Sequence, residues 1–216
     1  MPVEFSVAAY RFGHSQVRDR YGVNNTFSDV PLFSPGGAED LRGFRQLLPN
    51  WHVSWPRFFA FPGDPGPQLS RLIDTALSPS LFALPGEQAE AASLALRNLR
   101  AGVRLQLPSG QAVAGYLGVA PLGDEDLAPC PPGGAPLWYY VLREAAVLGD
   151  GGQHLGPVGG RIVAETLLAL LRSDPDSYYS KGPTWTPTLP SRSGNPRDFD
   201  MVDLLSLAIP GQARRF

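Results

Sequence analysis

The stretch 8-AAYRFGHSQVR-18 places one of the chain's three histidines three residues after an arginine, in a run whose apolar residues recur at helical spacing. Working outward from it, Val7, Tyr10/Arg11, His14, Val17/Arg18 and Tyr21 follow i, i+3/i+4 and share one face of a helix predicted over 4–18. A lone histidine on such a face is ordinarily a hydrogen-bonded packing residue, and periodicity by itself leaves that alternative open. Residues 16–26, QVRDRYGVNNT, read as a helix end followed by a polar loop.

The same spacing predicts further helices. Residues 38–48 (AEDLRGFRQLL) form a short amphipathic one, and 67–77 (PQLSRLIDTAL) repeat the pattern behind a proline at a first-turn position. Residues 87–101, rich in alanine and leucine, form the strongest, stopped by Gly102. Three more segments of ten residues or longer follow at 135–148, 159–174 and 198–210, separated by Pro/Gly-rich loops at 119–136 and 180–197. Alternation suited to a strand is confined to VRLQL at 103–107. The expected class is mainly α with long loops and little or no β, without internal repeat or evident domain boundary.

Composition narrows the functions open to the chain. Its 216 residues suit one large domain or two small ones, with a substantial core. The net charge is −2 and no dense basic run occurs, so nucleic acid has no electrostatic footprint. The 24 glycines and 23 prolines, about a fifth of the chain, imply many loops but stay below the share typical of disorder. The single cysteine, Cys130, excludes an internal disulfide framework and a cysteine-rich metal site. No apolar run approaches the ~20 residues of a membrane span, and MPVEFSVAAY lacks the basic start of a signal peptide.

Weaker motifs carry little. GPVGGR at 156–161 resembles an anion-binding helix start, but it lacks dinucleotide or P-loop spacing and reads best as glycines that let a helix pack closely. GDEDLAP (123–129) and SDPDSYY (173–179) lack calcium-loop spacing and read as solvated turns or caps. His52 and His154 have no second ligand at i+3 or i+4, and WHVSW (51–55) reads as core or interface packing. No Gly-x-Ser-x-Gly elbow or Cys/His pairing supports nucleophilic catalysis.

The longer segment 4-EFSVAAYRFGHSQVR-18 resembles the proximal helix of the animal-type haem peroxidase (peroxidase–cyclooxygenase) superfamily, particularly its bacterial members. The family pattern is an acidic residue and Phe, small apolar residues, then Arg-x-Gly-His; here it is Glu4, Phe5, Ala8, Ala9, Arg11, Gly13 and His14. The resemblance implies that His14 is the axial ligand of a haem iron and that Gly13 lets the backbone approach the macrocycle. It also implies that Arg11, on the same face, reaches a propionate or a neighbouring carboxylate. A second segment, 94-LALRNLRAGVRLQLPSGQ-111, is similar to the family stretch containing the asparagine that hydrogen-bonds the proximal histidine. In that register Asn98 comes within roughly 2.7–3.2 Å of His14, its amide oxygen accepting the ring's second N–H. The family's Arg-Asp-His-Gly after that asparagine is replaced here by VRLQ at 103–106, as bacterial members tend to have, and LGPVGGRIVAETLLALL and TWTPTLPS resemble its C-terminal part.

Two departures refine what the resemblance implies. Cyclooxygenases and α-dioxygenases carry a radical-forming tyrosine three residues before the ligand histidine; here that position is Arg11, with Tyr10 one residue off, which favours peroxidase chemistry over fatty-acid oxygenation. In the family a distal half, with its distal histidine, distal arginine and calcium loop, precedes the proximal helix. The expectation is therefore a C-terminal, proximal part of a haem peroxidase domain over 1–216, with a missing N-terminal half as a partner and no distal base, distal Arg or calcium site of its own. It would use haem, hydrogen peroxide and a small-molecule electron donor. The alternative is a non-catalytic helical remnant, a binding or structural module that has lost haem chemistry. Localisation does not follow from the sequence.

Overall fold

The structure, a computed structural model, describes residues 1–34, 39–47, 49–182 and 184–209. It is mainly α: six α-helices and one two-stranded sheet stand among the described residues. The chain divides into two compact units, Met1–Asp19 with Ser70–Ser173, and Arg20–Leu69 with Asp174–Phe216. None of the helices among the described residues is long and apolar enough to cross a membrane.

The first unit holds α1 (Leu94–Arg104), α2 (Gly110–Leu117), α3 (Leu137–Leu148) and α4 (Pro157–Ser173). Helix α3 is its centre. Leu137, Tyr140, Val141, Leu142 and Ala145 are all buried, and α1, α2 and α4 pack around them. A helix apolar around most of its circumference must be covered on several sides, which these neighbours do. Gly110 sits where a Cβ would overlap the Tyr140 ring, so α2 can lie against α3 only without a side chain there. Gly110→Ala should therefore cost at least about 1–3 kcal/mol, the usual range for overpacking; an unchanged urea midpoint would refute this packing argument.

The N-terminal stretch is not the α-helix that periodicity predicts. A π-helical turn covers Glu4–Ala8 and a 3₁₀ helix covers Ala9–His14, ending at Ser15. Residues 67–77 are not helical either: Arg71 N–H donates to the Gln16 carbonyl and Ile73 N–H to that of Gly152, so the backbone bonds to remote partners instead of its own preceding turn. The helix expected over 87–101 is a 3₁₀ turn at Ala89–Ala92 followed by α1, capped by Ser93 and continuing through Gly102 to Arg104. VRLQL is no strand. It finishes α1 and turns at Gln106, whose φ is 52°. The unforeseen α2 is capped by Ser109 and ends on Gly118 in the left-handed region.

In the second unit, the polar loop expected before residue 26 holds strand β1 (Arg20–Tyr21), paired antiparallel with β2 (Val30–Pro31). Buried Asn24 staples this hairpin: its oxygen accepts from the N–H groups of Thr26 and Phe27, and its amide donates to the carbonyls of Asn50 and His52. The predicted helix at 38–48 is absent over 39–47, and residues 38 and 48 lie outside the described residues. There the buried Asp40 carboxylate takes the N–H groups of Ser34 and Arg42, a local bonding that competes with a helix. In WHVSW only Ser54 is buried; His52 and Val53 are exposed. Helices α5 (Tyr178–Lys181) and α6 (Met201–Ala208) complete the unit, α6 opened by an Asp200/Asp203 capping box.

Candidate functional site

Three residues converge in the first unit. A 3₁₀ helix has three residues per turn, so Arg11 and His14 eclipse one another on one face. Trp138 of α3 holds this segment by donating its indole N–H to the Arg11 carbonyl at 3.3 Å. Asn98 projects from α1 and is 1% exposed. Arg11 Nη1 donates to Asn98 Oδ1 at 2.7 Å, and its Nε donates to the Ser6 carbonyl at 3.1 Å. Asn98 Nδ2 lies 2.9 Å from His14 Nδ1, across 84 positions of sequence. The distance expected from the two motifs is met.

The direction of that bond is opposite to the expected one. A guanidinium can only donate, so it takes the amide oxygen; the amide nitrogen that remains can only donate as well. His14 Nδ1 must accept, and the ring's single proton then sits on Nε2. Burial, and next the charge of Arg11, push His14 below the ordinary imidazole range, which keeps the ring neutral at pH 7. Arg11 itself engages Asn98 and a backbone carbonyl, not a carboxylate.

This arrangement bears on haem. Ligation through Nε2 leaves the ring proton on Nδ1, which then needs an acceptor, and Asn98 offers that nitrogen an N–H. The residue types suit a haem ligand and its partner; the hydrogen bonds as directed do not. A cavity of about 170 Å³ that Asn98 helps to line is smaller than the roughly 300 Å³ at which small-molecule pockets begin. A second, of about 870 Å³, lies between the N-terminal residues, α2 and α4, with no histidine in its lining. A Cβ at Gly13 would meet nothing within 4 Å, so open space lies before the residue expected to face the macrocycle.

The remaining sequence candidates do not join this cluster. Tyr10 is exposed and stacks on Phe5 at 4.7 Å. His154 is exposed, its Nδ1 2.9 Å from the Leu155 carbonyl. Cys130 is half-buried, and burial pushes its thiol up, away from reactivity. Among the described residues no group of three or more His, Cys, Asp or Glu is placed to hold a metal ion; a haem iron needs a single protein ligand.

Glu144 of α3 is the residue that sequence reasoning missed. It is fully buried, and its carboxylate accepts the N–H groups of Val158 and Gly159 at 3.0 Å, at the start of α4. The helix start in GPVGGR thus does attract an anion, one supplied by the chain itself. The glycines also pack closely, as expected: a Cβ at Gly156 would overlap Glu144, and one at Gly159 would lie 2.7 Å from Val141. The available signal was an acid inside the apolar run WYYVLREAAVL, opposite a glycine-rich helix start.

No family model matches the chain, and no curated protein matches it.

Proposed function

We propose that this chain carries the proximal, haem-binding side of a peroxidase, an oxidoreductase that uses hydrogen peroxide and a small-molecule electron donor. His14 is the axial ligand, Asn98 its hydrogen-bonding partner, and Arg11 the positioning residue behind Asn98. One observation carries this reading: the histidine and the asparagine singled out by two separate motifs meet at 2.9 Å. An asparagine buried in the middle of α1 is otherwise unfavourable, and both ends of its amide are used here, one by Arg11 and one by His14. The open space before Gly13 agrees with a flat group lying there.

A second reading, a non-catalytic helical module, is favoured by the direction of the Asn98–His14 bond, which suits a structural histidine. Titrating the purified chain with haemin separates the two. The first reading expects a Soret band with five-coordinate, high-spin iron; absence of any histidine-bound spectrum would leave the second.

A further inference from the structure

The Arg11–Asn98–His14 chain is polar along its length, and each link forces the next. If the Asn98 amide were reversed while Arg11 stayed in place, its NH₂ would face the guanidinium at 2.7 Å, donor against donor. Arg11 is in turn held by the Ser6 carbonyl and by the Trp138 bond to its own backbone. Asn98 is 1% exposed, so water cannot readily replace a bond lost at either end. We infer that Arg11, acting through Asn98, locks His14 of the metal-free protein in the Nε2–H tautomer, so that the ring presents a hydrogen-bond donor and not a lone pair until the Asn98 amide turns end for end.

Two consequences follow. His14 as held can donate to a carboxylate or carbonyl, whereas a metal would meet a proton. Turning the amide separates Asn98 Oδ1 from Arg11 and frees the guanidinium for another acceptor. Arg11 and Asn98 are therefore positioning residues whose effect is read at the imidazole. The inference rests on the haem reading only in naming what the turn would admit; the tautomer itself belongs to the metal-free chain.

The test is the ¹⁵N spectrum of the His14 ring in the metal-free full chain at about pH 8, where the imidazole is neutral. One ordinary hydrogen bond supports a tautomer preference of about tenfold, so wild type should show Nε2–H in that excess. Arg11→Leu removes the donor that orients the amide and should shrink the Nε2–H excess to that of a free imidazole or below. Asn98→Asp supplies two acceptor oxygens, one for Arg11 and one for the ring, and should invert the preference to Nδ1–H. A packing role alone would move none of these signals. Wild type found as Nδ1–H, or an Nε2–H excess unchanged in Arg11→Leu, would overturn the lock. Should Asn98→Asp fail to fold, the wild-type and Arg11→Leu spectra still decide it. Haemin binding, measured separately on the same proteins, decides the function: a correct tautomer with no haem bound in any variant removes the peroxidase reading and leaves the lock, and the converse result removes the lock alone.

Discussion

Glu144→Ala should lower stability by about 2–6 kcal/mol, the cost of leaving two buried N–H donors without an acceptor. For a chain of this size that is a fall in Tm of roughly 4–24 °C. The carboxylate is fully buried and joins α3 to the start of α4 through the Val158 and Gly159 N–H groups. The first N–H groups of a helix have no partner within it, so truncation leaves these donors buried and unpaired, each at about 1–3 kcal/mol. The pH dependence gives a second signature. Burial pushes the Glu144 carboxyl above the ordinary range, with the N–H groups of Gly159 and Val158 drawing it back. An acid whose folded pKa is raised contributes stability that is complete below its unfolded pKa and is lost as pH rises through the folded one. Wild type should lose stability as pH climbs from about 4.3 to that raised value, and Glu144→Gln should lack this component. Thermal melts across that window measure both. A melting temperature untouched by Glu144→Ala would show that α4 does not need this anchor.

Helices α3, α4 and α6 were legible because each holds an apolar periodicity for most of its length. The segments that depart from their spacing share a different physics. In residues 67–77 the periodic leucines Leu69 and Leu72 are exposed while Ile73 and Leu77 are buried, and the backbone bonds to Gln16 and Gly152 across the fold. At 39–47 Asp40 takes the Arg42 N–H and the Leu41 N–H goes to the carbonyls of Pro31 and Leu32. Such competitors lie in the partners' positions, which local spacing does not carry. The N-terminal segment is instructive in another way. A three-residue separation joins Arg11 to His14 on an α-helix or a 3₁₀ helix alike, so their shared face was legible although the helix type was not. Asn98 was legible as an oddity of composition. The direction of its bond to His14 was not, because it is set by the Arg11–Asn98 bond, which neither motif carries.

The three histidines should differ sharply in what their loss does to haem binding. On the proposed function, His14→Ala should abolish the histidine-bound Soret spectrum of the haemin complex, whereas His52→Ala and His154→Ala should leave it intact. The loss should exceed the roughly 10–100-fold that removing only a ligand's hydrogen-bonding partner costs. His154 makes this a demanding comparison. His154 is exposed and its Nδ1 faces the Leu155 carbonyl, which can only accept, so in the neutral ring the proton sits on Nδ1 and the lone pair on Nε2. By tautomer alone His154 is the better ligand, and a haemin that binds adventitiously should choose it. His14 offers what His154 lacks: a buried side-chain amide bonded to its ring, an arginine behind that amide, and the adjacent Gly13 with open space in front. A haem site built into the fold should therefore follow His14 despite its unfavourable resting tautomer, at the cost of turning one amide. If His154→Ala removes the band and His14→Ala does not, haemin is reading the free lone pair and the proximal assignment is wrong.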